Sequence, residues 1–83
     1  MSEKDYIGEL IQVAAVAVAA IADHYDGMAD VESMKHQEIL LMVTGERRRQ
    51  DAKWGCQHHA RPEWLAILVE EVGELAQAIL ENP

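Results

Sequence analysis

The chain has 83 residues, enough for one small domain, 1–83, with a thin stability margin, so association between copies is expected from length alone. Hydrophobic residues make up 49%, Phe is absent, and Ala, Val, Leu, Ile, Glu and Gln dominate, which favours helix and predicts an all-α fold. A formal net charge of -8 argues against nucleic acid as a partner, because such binding uses Lys and Arg to displace counterions from phosphates.

Ser2 followed three residues later by Asp5 is a helix-start pattern, and Gly27 is a stop, so the first helix is expected over 3–26. Ile7, Leu10, Ile11, Ala14, Val18 and Ile21 recur at helical spacing, while Val13, Val16 and Ala20 spread apolar surface to the other side. A helix of this kind needs neighbours on several faces. Its strongly apolar run, Val13 to Ala22, is about half of what a bilayer requires and is flanked by Glu9, Gln12 and Asp23, so no membrane partner is expected. No basic segment directly precedes that run, which continues into Asp23, His24, Tyr25 and Asp26, unlike a secretion signal.

The second helix is expected over 31–53, capped by Asp30 or Ser33, with Val31, Met34, Ile39, Leu40, Met42 and Val43 as its buried surface. Glu46 to Lys53 is almost wholly polar, and Gly45 in mid-helix marks a bend or a close approach. Arg47, Arg48, Arg49 and Lys53 form the main basic cluster. A guanidinium can grip phosphate in bidentate fashion, but pairing with Glu46 or Asp51 on the same helix is an equal alternative.

Gly55 to Arg61 breaks the helical pattern, and Pro62 suits the first position of a third helix over 62–81. Trp64, Leu65, Leu68, Val72, Leu75, Ile79 and Leu80 supply its apolar face. Glu71 and Glu74 stand i, i+3 and Glu70 and Glu74 i, i+4, so their carboxylates can converge on a hard cation such as Mg²⁺, or simply form a solvated face. Cys56 is the single cysteine, which excludes an intrachain disulfide and favours a reducing, cytoplasmic setting. Cys56, His58 and His59 are too tightly spaced for a usual zinc site.

The stretch DAKWGCQHHARPEWLAILVEEVGEL resembles the MazG-like and dCTP-pyrophosphatase-like families, in which a Trp, a His-containing polar loop and a Pro-started helix lead into an ExxE metal motif. The matching residues are Trp54, His58 or His59, Pro62, Leu65, Glu71 and Glu74. These families complete the site with ExxD on the next helix. Here the first helix, YIGELIQVAAVAVAAIAD, resembles that element, so the order looks circularly permuted, with about seventeen residues between Glu74 and Glu9 if the ends were joined. The motif reads Glu9, Leu10, Ile11, Gln12, with Gln at the family's Asp position, where it offers a neutral oxygen in place of a charge.

The resemblance implies a Mg²⁺-dependent (Mn²⁺ as substitute) hydrolase that splits a nucleoside triphosphate into monophosphate and pyrophosphate. Glu9, Glu70, Glu71 and Glu74 are its expected metal and catalytic residues, with Gln12 as a weaker ligand. Lys53, Arg48, Trp54, His58 and His59 are the expected substrate contacts. It also implies a helical bundle completed by a homodimer or homotetramer. The alternative is a self-association module of the same fold that has lost catalysis together with the ExxD aspartate.

Overall fold

The computed structural model describes residues 3–26 and 36–82. They form α1 (Glu3–Asp26), α2 (His36–Trp54) and α3 (Arg61–Glu81), with no strand among the described residues. The expected all-α class is therefore observed. Clustering of the chain gives two compact units, Met1–Lys53 and Trp54–Pro83.

In the first unit α1 has the expected bounds, while Ser2 and Gly27, its proposed start and stop signals, lie outside the described residues. At 1.5 Å per residue its 24 residues extend about 36 Å. Leu10, Val18 and Ile21 are half-buried, whereas Ile7, Ile11, Val13 and Val16 are exposed. Both sides of α1 thus keep apolar surface, as the sequence pattern predicts.

α2 ends at Trp54, one residue beyond expectation. Its proposed opening segment 31–35, with Val31 and Met34, lies outside the described residues. Ile39 is the one buried side chain among the described residues, at 0% exposure. The other described members of its expected core, Leu40, Met42 and Val43, are exposed, and so is Leu41 at 71%. Four consecutive apolar residues point all round a helix, and one neighbouring helix covers only one side of them. An open apolar groove of about 340 Å³ runs beside α1 and α2, lined by Ile11, Ala14, Ala15, Val18, Ala19, His36 and Leu40.

α2 passes through Gly45 without a break, and a Cβ there would meet nothing within 4 Å, so close packing is not what the glycine serves. One residue earlier, the Thr44 hydroxyl donates to the Leu40 carbonyl at 2.8 Å, which satisfies it within the helix.

In the second unit Gly55 has φ +77°, the left-handed conformation that closes a helix end without Cβ strain. The chain then runs to Ala60, whose extended backbone (φ -66°, ψ 157°) caps α3 and whose carbonyl accepts from Glu63 N–H at 3.0 Å and Trp64 N–H at 3.1 Å. α3 begins at Arg61, so Pro62 occupies the second helical position; its missing N–H is still one of the four that no helix satisfies. At the other end Asn82 N–H donates to the Ala78 carbonyl at 3.0 Å.

No residue of α3 is buried. Leu65, Val72 and Ile79 recur every seven residues, with Leu68 and Leu75 three after the first two, which is the seam of a helix built to pack along another. All but Leu68 are exposed, and Leu80 is 82% exposed. Charge is distributed unevenly over the elements. α1 carries Glu3, Asp5, Glu9, Asp23 and Asp26 against Lys4, and α3 carries Glu63, Glu70, Glu71, Glu74 and Glu81 against Arg61. α2 alone has a cationic excess, Arg47, Arg48, Arg49 and Lys53 against Glu38, Glu46 and Asp51.

Candidate functional site

Glu70, Glu71 and Glu74 occupy one turn of α3; all are exposed, and none makes a hydrogen bond or ion pair among the described residues. Glu81, by contrast, accepts from the Gln77 amide at 3.1 Å. Carboxylates three and four residues apart repel one another unless a cation lies between them. Glu9 and Gln12 stand one turn apart on α1, both exposed and likewise without a polar contact.

The donor chemistry suits Mg²⁺, a hard cation that takes carboxylate oxygens and completes its octahedron with water and phosphate. No group of three or more His, Cys, Asp or Glu is gathered to hold a metal among the described residues. The tight Cys56, His58, His59 sequence forms no such group either, with Cys56 exposed.

The arginine run divides by helical geometry. Arg47 donates to Asp51 Oδ1 through Nε at 3.1 Å and Nη2 at 2.7 Å. Arg49 grips both oxygens of Glu46, at 2.9 and 2.6 Å, and Gln50 adds an amide hydrogen bond at 3.2 Å. The hydrogen bond from Arg49 is the largest cause holding the Glu46 carboxyl down at about 2; desolvation opposes it, and the Gln50 hydrogen bond and the charges of Arg49 and Arg47 add to the lowering. The same bond raises the Arg49 pKa. The same-helix alternative therefore holds for two arginines. Arg48 points elsewhere on the wheel, exposed and without a hydrogen bond or ion pair among the described residues. Lys53 and Trp54 end the helix, with Trp54 54% exposed.

The structure separates the two histidines. His58 is exposed and makes no polar contact among the described residues. His59 is only 26% exposed in its side chain; its Nδ1 lies 3.2 Å from Glu63 Oε2 and its Nε2 3.0 Å from Gln57 Oε1. Its ring meets Trp64 edge-on, with centroids 4.7 Å apart and planes at 89°. Sequence reasoning passed over Gln57 and Glu63. A usable signal was present, since Glu63 falls at the third position of a helix whose cap is Ala60, where an acidic side chain usually reaches back to the preceding backbone.

α1 has a further property that the run Val13 to Ala22 understates. As one unbroken helix, Lys4–Asp26 is long and apolar enough to cross a membrane by length and composition, and none of its most apolar window is buried. The same test is passed by core helices of soluble proteins and by signal sequences. Comparison with protein-family models, curated proteins and solved structures finds no match to this chain.

Proposed function

We propose that the chain is a protomer of an oligomeric, cytoplasmic, Mg²⁺-dependent nucleoside triphosphate pyrophosphohydrolase of the MazG-like kind, with its helices in permuted order. The observation that carries the reading is the exposed, unpartnered turn of Glu70, Glu71 and Glu74 on α3, downstream of the Trp54 to Pro62 stretch that resembles those enzymes. Glu71 and Glu74 would hold the cation, with Glu9 as the further expected ligand, and Glu70 or a neighbour would take the proton from the attacking water. Held there, Mg²⁺ would supply charge to offset the phosphates and to acidify a coordinated water.

Arg48 and Lys53 meet the phosphates, Trp54 stacks on the base, and His58 and His59 lie along the polar loop. Exposed apolar surface on α1, α2 and the α3 seam supports a homodimer or homotetramer as the working form. Glu9 and Gln12, within the first turns of α1, favour helix–helix packing over lipid for that element.

A second reading, a non-catalytic self-association module, draws on Gln12 and on the same exposed faces. Purified protein incubated with a panel of dNTPs and NTPs in Mg²⁺ or Mn²⁺ decides between them. The hydrolase reading expects pyrophosphate release that falls at least about a hundredfold in Glu71→Gln and Glu74→Gln, the scale of losing a group that stabilises developing charge. No release from folded, oligomeric protein leaves only the module. Flotation of the protein with lipid vesicles would overturn the soluble assignment of α1.

A further inference from the structure

The loop between Gly55 and Ala60 holds two adjacent histidines in opposite circumstances, and the difference lies in what surrounds the His59 ring. A carboxylate can only accept, so the 3.2 Å contact from Nδ1 to Glu63 Oε2 requires the proton to sit on Nδ1. Free neutral imidazole prefers its proton on Nε2, so this contact selects the minority tautomer. Gln57 completes the ring's hydrogen bonding. In the structure its amide oxygen faces Nε2 at 3.0 Å and accepts from it when the ring is charged; in the neutral Nδ1–H ring the amide must turn over for its nitrogen to donate to Nε2.

Position in the helix start reinforces the point. With Ala60 as cap, His59 is the residue just before it and Trp64 the fourth helical residue, the two sites that pack against each other when an incoming chain is stapled to a first turn. The edge-on contact at 4.7 Å is that staple, made here by an aromatic pair. Ala60 supplies no side-chain cap, and the Glu63 and Gln57 contacts to the His59 ring tie the loop side chains to the first turn of α3.

We infer that His59 is a positioning residue, held in its Nδ1–H tautomer, that fastens the 55–60 loop to the first turn of α3 and leaves His58 as the histidine available to a ligand. The assignment is independent of the nucleotide reading. It is tested on the full chain, labelled with ¹⁵N, by long-range ¹H–¹⁵N correlation of the histidine rings at alkaline pH. His59 is expected to carry its proton on Nδ1 and His58 on Nε2. In Glu63→Ala, His59 reverts to Nε2–H.

Amide exchange at Glu63 and Trp64 gives the mechanical readout. His59→Gln, whose amide reaches toward the Nε2 site, is expected to speed exchange there about fivefold to tenfold, the scale of one lost hydrogen bond of ordinary strength. His59→Asn, whose amide nitrogen overlays Nδ1, is expected to restore most of the protection. An Nε2–H signal for His59 in the parent protein, or equal exchange in all three proteins, overturns the inference.

Discussion

Shortening Ile39 to Ala strips three carbons from the one side chain that is fully buried among the described residues. At about 0.8 kcal/mol per buried methylene the transfer loss is about 2.4 kcal/mol, and the void left behind brings the total to about 3 kcal/mol. A chain of 83 residues is expected to have about 4 to 12 kcal/mol in all, so this single change removes a quarter or more of it. Leu41 provides the control, because it lies two residues away on the same helix and is 71% exposed. Within one chain, Leu41→Ala forfeits about 0.7 kcal/mol, the share of its side chain that is covered. If copies pack over it, the same substitution loses the full 2 to 3 kcal/mol or so, and the loss grows as the protein is diluted. Urea unfolding followed by far-UV circular dichroism at low and high protein concentration separates these cases. An Ile39→Ala variant as stable as the parent refutes the packing described for α1 and α2. A Leu41→Ala loss below about 1 kcal/mol at every concentration refutes coverage of α2 by a second copy.

Gly55→Ala forces a Cβ into left-handed backbone and should lower stability by about 1 kcal/mol, a drop in Tm of about 4 to 8 °C, whereas Gly55→Asn should lose less. Glu46 titrates at about 2 in the folded chain against an ordinary 4.5, so its contribution to α2 is fully present above about pH 4.5 and is lost as pH falls through 2. ¹³C titration of the Glu46 carboxyl and helicity measured from pH 5 downward check this. Glu46→Gln should abolish that acid-dependent part, and added salt should shrink it, because the pair is exposed.

The three helices were legible because apolar periodicity and punctuation agree over long segments. Glu3–Asp26 and Arg61–Glu81 match expectation to within a residue, and the α2 C-terminus follows from Gly55, which only a sharp left-handed turn explains. Burial was less legible. Periodicity says that Leu40, Met42 and Val43 want cover, not whether their own chain supplies it, and all three remain exposed. Among the candidate site residues, spacing placed Glu70, Glu71 and Glu74 on one helical turn and gave the pairing partners of the arginines. It did not separate His58 from His59. That distinction depends on Gln57 and Glu63 converging on one ring across a cap, a three-dimensional relation that neither residue type signals alone.

The uneven division of charge sets how an ionic ligand would experience this surface. Arg47 and Arg49, two of the four cations of α2, are engaged by Asp51 and Glu46 of their own helix, and the chain as a whole keeps a formal net charge of -8. A polyanion arriving bare from solution meets a repelling potential, whereas one that has already taken up a divalent counterion meets much less. For the proposed Mg²⁺-dependent reading, this potential would favour a metal arriving first, or metal and anion arriving together.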